Sequence, residues 1–127
     1  MNIKNKVLII EDDEAMRSAL IETFKNNNYV VESAINGQEG LHKIDNFKPD
    51  LLLLDLNLPI MSGLSVLSKT REGYGSWGKD LKVIILTNLG ASNEMLDQVA
   101  KYEPAFYLIK SEVELADVIT KAKECLA

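Results

Sequence analysis

The stretch Leu51-Leu52-Leu53-Leu54-Asp55 decides the fold class. Its four consecutive leucines do not alternate with polar residues, which is typical of a strand covered on both faces and therefore of a parallel sheet. Four other short runs have the same apolar character, at residues 7–10, 29–31, 83–86 and 106–109. The sequence therefore predicts five short strands in one parallel sheet.

The segments between these runs carry the spacing of amphipathic helices. Met16, Leu20 and Phe24 recur every four residues and are followed by three asparagines at 26–28. Similar spacing follows each later run, and strand and helix thus alternate five times with short connections. This order predicts an α/β domain with a doubly wound, five-stranded parallel sheet and helices on both of its faces.

Two segments carry more local expectations. Ser111-Glu112-Val113-Glu114 fits a capping box, which predicts that the last helix begins after Ser111 as its N-cap. Residues 71–80 form a long connection with three glycines and are expected to be a surface loop. Its aromatic residues, Tyr74 and Trp77, are interpreted either as part of a mobile loop or as a docking element for a partner.

The composition restricts the possible functions. The 127 residues carry a formal net charge of −5, which argues against general binding to nucleic acid or to a membrane surface. One histidine, His42, and one cysteine, Cys125, leave no material for a multi-histidine site, a cysteine zinc site or an internal disulfide. No apolar run has the length of a signal or membrane-spanning helix. We expect a single cytoplasmic domain over residues 1–127, with no output domain.

Polar side chains follow four of the five apolar runs at the point where each strand should end. Glu11 and Asp12 follow the first run, Asp55 the third, Thr87 the fourth and Lys110 the fifth. Sites in open parallel sheets form at the carboxyl ends of the strands. We therefore expect three carboxylates, one hydroxyl and one ammonium group to meet at this edge.

The acids among these residues predict a metal site. Clustered carboxylates raise one another's pKa unless a cation lies among them, and oxygen ligands of this kind suit Mg²⁺. Alternatively, the four acids at 11–14 cap the first helix, because acids stabilise a helix N-terminus. We assign Asp12 and Asp55 to the metal, and Asp13 and Glu14 to the cap.

Together these residues resemble the receiver domain of two-component response regulators. The resemblance covers essentially the whole chain and rests on Glu11-Asp12, on Asp55-Leu56-Asn57-Leu58-Pro59 with Gly63, and on Thr87 and Lys110. It implies a flavodoxin-like (βα)5 fold and a stand-alone switch, similar to chemotaxis regulators. Such a switch accepts a phosphoryl group from a sensor histidine kinase or a phosphotransfer protein.

The resemblance implies that Asp55 is the phosphoacceptor in a reaction that depends on Mg²⁺. Asp12, Asp55 and the backbone carbonyl of Asn57 match the metal ligands of the family, and Glu11 matches the acid that acts through water. Lys110 matches the cation that pairs with the phosphoryl group.

Two further positions match the switch of the family. Thr87 matches the hydroxyl that turns toward the phosphoryl oxygens, and Tyr107 matches the aromatic residue that changes rotamer with it. The signal then leaves through the face made by the fourth helix, the fifth strand and the fifth helix. Taken alone, Thr87 fits an ordinary strand-end threonine equally well, Tyr107 fits a half-buried strand aromatic better, and Lys110 fits a solvated strand end better.

The chain departs from the family pattern at two positions. Ser111 stands where the family usually has a proline joined by a cis peptide, so we expect a trans bond after Lys110. The reach of Lys110 is then in question. Asn88 stands where a small residue is common, and we expect it to cover part of the site and alter dephosphorylation. Asn57 and Leu89 are expected to tune the same rate.

Three functions are compatible with these residues. The leading hypothesis is a phosphorylation-controlled switch that is not a turnover enzyme. The alternatives are a phosphorylation-independent interaction module and a phosphohydrolase, although Asn57 stands where such a hydrolase has a second aspartate. The expected downstream partner is a protein of unknown identity, not nucleic acid or a membrane, and the chain is expected to be a monomer or a phosphorylation-dependent homodimer.

Overall fold

The computed structural model describes residues 4–88 and 92–127. Five parallel strands form one sheet in the order β2-β1-β3-β4-β5. They are β1 (Lys6–Ile10), β2 (Val30–Ala34), β3 (Leu51–Leu54), β4 (Lys82–Thr87) and β5 (Phe106–Ile109). The prediction of a five-stranded parallel sheet is confirmed, and the predicted bounds of β3 and β5 agree with those observed.

Within the described residues, six α-helices surround the sheet: α1 (Glu14–Asn26), α2 (Gly37–Phe47), α3 (Gly63–Gly73), α4 (Gly75–Asp80), α5 (Asn93–Ala100) and α6 (Leu115–Leu126). Buried residues of α1 and α6 pack on one face of the sheet, and those of α2, α3 and α5 pack on the other. Since α4 was not predicted, the fourth and fifth predicted helices are α5 and α6. No helix in the described ranges is long and apolar enough to cross a bilayer.

The leucines of β3 hold the centre of the sheet. Leu52 and Leu54 point into the core beneath α2 and α3, whereas Leu51 and Leu53 point into the core beneath α1 and α6. All four are at most 2% exposed, and fully burying such a side chain contributes roughly 1.5–3 kcal/mol. A slip by one residue would draw the carboxylate of Asp50 or Asp55 into the core, so the two flanking acids fix where β3 begins and ends.

The expectation of a surface loop at residues 71–80 is wrong, because this segment continues α3 and then forms α4. Gly75 makes the turn between the two helices with a φ of 60°. A Cβ on Gly78 would lie only 2.2 Å from the Thr70 carbonyl oxygen, so the missing side chain allows α4 to pack closely on α3. Two of the three glycines thus serve a packed turn.

The aromatic residues of this segment are half-buried. Tyr74 and Trp77 pack against the core with their rings edge to face at 5.6 Å. The Lys48 ammonium lies 4.3 Å from the Tyr74 ring centroid and 4.7 Å from that of Trp77, within the range of cation–π attraction. Their contacts therefore join α4 to the end of α2.

The last helix begins three residues later than the capping box predicts. Lys110–Glu112 form a turn of 3₁₀-helix, and Glu114 is the N-cap of α6. The Asp117 carboxylate accepts a hydrogen bond of 2.8 Å from the Glu114 backbone N–H. Ser111 is consequently not the N-cap, because Glu114 and Asp117 supply the same type of capping further along the chain.

Arg71 fastens the edge of the sheet opposite to the predicted site. Its side chain is buried and donates to the carbonyl oxygens of Gly78 and Leu81 at 2.9 and 2.6 Å. It also donates to the carbonyl oxygens of Tyr102 and Glu103 at 2.7 and 3.1 Å. One guanidinium group therefore joins α3, the start of β4 and the connection after α5.

Replacing Arg71 should destabilise the fold. Arg71→Met removes the donors of four carbonyl groups, and we expect the free energy of unfolding to fall by about 2–4 kcal/mol. Urea denaturation followed by circular dichroism measures this change. Lys79→Met removes an exposed cation from α4 and should leave stability nearly unchanged; equal losses in the two variants would contradict the assignment.

Candidate functional site

Glu11 and Asp55 are held at the carboxyl edge of the sheet by main-chain hydrogen bonds that continue the pairing of the strands. The Glu11 N–H donates to the Ala34 carbonyl at 3.0 Å, and the Asp55 N–H donates to the Ile10 carbonyl at 3.1 Å. Thr87 is the last residue of β4 and is fully buried. The carboxylates consequently leave the sheet side by side.

The Asp55 carboxylate accepts hydrogen bonds from three donors. The Thr87 hydroxyl and the Asn57 backbone N–H donate to its Oδ1 at 2.8 and 3.0 Å. The Lys110 ammonium donates to its Oδ2 at 2.9 Å. Asp55 is only 4% exposed, and charge-assisted bonds to a carboxylate are stronger than neutral ones. The orientation of this carboxylate is therefore fixed.

Lys110 reaches the site across a trans peptide, and all described peptide bonds are trans. Its ammonium lies 2.5 Å from a Glu11 oxygen as well as 2.9 Å from Asp55. Burial by itself would lower the pKa of Lys110, but the hydrogen bonds to Asp55 and Glu11 outweigh burial and raise it. Burial raises the pKa of Glu11, an effect partly offset by Lys110 and the Asp13 N–H.

The acidic run divides between the site and the start of α1. Asp13 is the N-cap, and its carboxylate accepts from the Met16 N–H at 3.0 Å. Glu14 lies in the first turn of the helix, so the assignment of these two acids to the cap is confirmed. Asp12 is exposed, whereas Glu11 is 2% exposed and also accepts from the Asp13 N–H at 3.1 Å.

The remaining acids form a cluster that suits a hard cation. Carboxylate oxygens of Glu11, Asp12 and Asp55 lie within 4.8 Å of one another. Three carboxylates and the Lys110 ammonium leave a formal charge of −2, which a divalent cation would neutralise. The atoms available to a metal are oxygens, as Mg²⁺ prefers, and the exposed Asp12 would leave room for the waters that Mg²⁺ keeps.

Residues 7–123 match the family model of the response regulator receiver domain. The chain belongs to this family. Receiver domains are signalling switches of two-component systems, in which an aspartyl phosphate carries the signal, and they bind Mg²⁺ in an acidic pocket. The likeness to receiver domains drawn from the sequence pattern is confirmed.

Solved structures and a curated relative agree with this membership. The receiver domain resembles a CheY-like receiver domain protein from Methanospirillum hungatei, with a TM-score of 0.87 and 30% identity over 96% of this chain and 93% of that one. The chemotaxis response regulator CheY4 of Vibrio cholerae shares the fold, with a TM-score of 0.85 and 24% identity over 97% and 99% of the two chains.

One curated relative is the response regulator MprA of Mycobacterium ulcerans. It is 38% identical over 82 residues, which are 65% of this chain and 34% of that protein. The match thus spans about a third of the length of the curated relative.

The other predicted residues that the structure describes differ in exposure. Asn57 and Asn88 are exposed, Asn88 directly after Thr87, while Leu89 lies outside the described residues. Tyr107 is half-buried on β5 and pairs in register with Ile85. Burial, and then the charge of Asp55, raise the pKa of Tyr107.

Arg17 contacts the backbone of the acidic segment, and the sequence pattern does not identify this role. Its guanidinium donates to the backbone carbonyl of Glu11 at 3.0 Å and to that of Asp12 at 3.3 Å. In the sequence, Arg17 is visible only as an arginine one helical turn beyond the acidic run. Arginines are too common on helix surfaces for this position to indicate a role.

The connection after β3 approaches Asp55 closely. A Cβ on Gly63 would lie 2.1 Å from the Asp55 carbonyl oxygen, and the Gly63 N–H donates to the Leu56 carbonyl at 3.0 Å. Ile60, between them, has a φ of 70° and is 75% exposed, a conformation rare for a β-branched residue. Such strain concentrates at functional sites, and here α3 is drawn against the backbone of Asp55.

Adding one methyl group at Gly63 should disturb this approach. Gly63→Ala forces the α3 terminus away from the Asp55 backbone, and we expect a loss of stability of about 1–3 kcal/mol. Gly73→Ala is the matched control in the same helix, because nothing lies within 4 Å of its Cβ position. Urea denaturation compares the two; equal stabilities would show that the close approach is not required.

Proposed function

We propose that Asp55 accepts a phosphoryl group from the phosphohistidine of a sensor kinase or phosphotransfer protein, in a reaction that depends on Mg²⁺. The observation that carries this proposal is the nearly buried Asp55 carboxylate, held by three donors beside two further acids. A carboxylate is a competent nucleophile toward phosphorus, and the product is an acyl phosphate.

The covalent step transfers the phosphoryl group between the two side chains. An oxygen of Asp55 forms a bond to phosphorus. The bond between phosphorus and the imidazole nitrogen of the donor breaks, and its electron pair stays with that nitrogen. Transfer of this type depends on positioning and on neutralising the equatorial oxygens. Thr87 and Lys110 donate to the carboxylate in the unphosphorylated protein, and after transfer they would donate to those oxygens instead.

Asp12, Asp55 and the backbone carbonyl of Asn57 would hold the metal. Glu11 would act through water, since its carboxylate already binds Lys110 and the Asp13 N–H. When bound, Mg²⁺ supplies positive charge that neutralises phosphoryl oxygens. The chain's own contribution is to present oxygen ligands at one edge and to leave one of them, Asp12, exposed to the approaching group.

We infer that the signal leaves through the face formed by α5, β5 and α6. Phosphorylation adds about −1.5 to −2 charges at Asp55, which changes the field acting on the Thr87 hydroxyl. Tyr107 pairs with Ile85, two residues before Thr87, so Thr87 and Tyr107 belong to the same face of the sheet. Val99 is the only buried residue of α5, which makes this helix an easily displaced element.

Phosphorylation is tested with acetyl phosphate and Mg²⁺, by intact-protein mass spectrometry. We expect one stable adduct with the mass of a single phosphoryl group, absent in Asp55→Asn and absent without Mg²⁺. Asp13→Asn is the matched control, because asparagine also serves as an N-cap and the residue lies outside the acid cluster. It should form the adduct as the wild type does.

The other outcomes identify the alternative functions. A wild-type protein that forms no adduct, and binds no beryllofluoride, would be a phosphorylation-independent interaction module. Rapid release of phosphate over many turnovers would indicate a phosphohydrolase. An adduct that persists in Asp55→Asn would show that another residue accepts the phosphoryl group.

Asn88 is expected to shield the phosphorylated aspartate. Its exposed side chain directly follows Thr87, whose hydroxyl donates to Asp55. We predict that Asn88→Ala shortens the lifetime of the acyl phosphate several-fold, because water reaches phosphorus more easily, and that it speeds phosphorylation by acetyl phosphate. The decay of radiolabelled protein measures the lifetime, with the exposed Asn46→Ala on α2 as control. Identical decay in all three proteins would refute the shielding role.

A further inference from the structure

The connection between β1 and α1 carries two of the three clustered acids on a very short segment. Its first residue, Glu11, is tied to β2 through the Ala34 carbonyl, and its last, Asp13, caps α1. Asp12 lies between these two fixed points with an exposed side chain. The orientation of the Asp12 backbone therefore sets the direction in which its side chain leaves the main chain.

Arg17 holds the main chain of this segment from the helix side. One guanidinium nitrogen, Nη1, donates both to the Glu11 carbonyl at 3.0 Å and to the Asp12 carbonyl at 3.3 Å. Arg17 follows the N-cap by one helical turn, and its backbone N–H donates to the Asp13 carbonyl at 2.9 Å. The side chain thus bends back over the connection and fixes two successive peptide groups.

The geometry points to Arg17 as a positioning residue for the metal ligands, an inference that rests on the proposed Mg²⁺ site. Arg17 holds the carbonyls of Glu11 and Asp12 while their carboxylates lie within 4.8 Å of Asp55. The ligands are arranged before the cation arrives, so less ordering accompanies binding. Outer partners that orient metal ligands typically contribute about 10–100-fold in metal affinity.

The charge of Arg17 and its hydrogen bonds would change the affinity for Mg²⁺ in opposite directions. A guanidinium cation near the pocket repels a divalent cation. If only this charge mattered, removing Arg17 would strengthen Mg²⁺ binding. Loss of the two carbonyl contacts would instead weaken binding. The sign of the change in affinity therefore separates positioning from electrostatics.

The test is calorimetric titration of the full chain with MgCl₂. We expect Arg17→Met to bind Mg²⁺ about 10-fold more weakly than the wild type. Arg17→Lys keeps the charge but has a shorter side chain with a single ammonium group, and it should show a smaller loss. Lys25→Met removes an exposed cation from the last turn of the same helix and should bind as the wild type does.

A second measurement reports the positioning directly. Hydrogen exchange of the amides in residues 11–16 of the metal-free protein should be faster in Arg17→Met than in wild type or Lys25→Met. Unchanged exchange together with unchanged or tighter Mg²⁺ binding would overturn the inference. If Arg17→Met does not fold, Arg17→Lys decides, because wild-type affinity and wild-type exchange in that variant would show that the two guanidinium contacts are not required.

Failure of the metal site itself is distinguishable from failure of this inference. Wild-type protein that does not bind Mg²⁺, or Asp12→Asn that binds it unchanged, would refute the proposed ligands. The exchange measurement needs no metal and still decides whether Arg17 orders the connection. If the wild type binds Mg²⁺, Asp12→Asn does not and Arg17→Met still does, the positioning role of Arg17 is refuted and the proposed metal site is not.

Discussion

The Lys110 ammonium between Glu11 and Asp55 is the interaction on which the functional edge depends. Two carboxylates that are almost fully removed from water repel each other and are poorly solvated, so they require a nearby cation. Lys110 meets part of this requirement and leaves the cluster with excess negative charge. A buried pair of this kind adds little to stability compared with apolar packing. Its presence here is therefore better explained by the chemistry of the pocket than by folding.

The sequence predicted the sheet and the acid pocket because both follow from strong local patterns. The unbroken leucines of β3 indicate a strand buried on both faces, the aspartates at 50 and 55 mark its ends, and the carboxyl ends of parallel strands must share an edge. Asp13 was separable from Asp12 because helix capping requires a particular position relative to the first turn. These features depend on neighbours in the chain or on the order of the strands.

The features that the sequence did not predict depend on contacts between distant elements. The segment of α4 looks like a loop because glycines usually interrupt helices, and only the Thr70 carbonyl explains why Gly78 belongs in one. The start of α6 differs from the predicted one because the sequence offers two capping pairs. Ser111 with Glu114 is the predicted pair, and Glu114 with Asp117 is the pair that forms. Arg17 gave no signal, since an arginine on a helix is usually solvated and its acceptors are backbone atoms.

The hydrogen bonds of Arg71 have a mechanical consequence for α5. Its guanidinium holds the carbonyls of Tyr102 and Glu103, immediately beyond the carboxyl end of the helix, and the only buried side chain of α5, Val99, lies near that same end. A force applied at the amino end near Ser92 would therefore swing the helix about a fixed pivot instead of sliding it along the sheet. The displacement would then be largest at the amino end of α5 and would fall toward Val99.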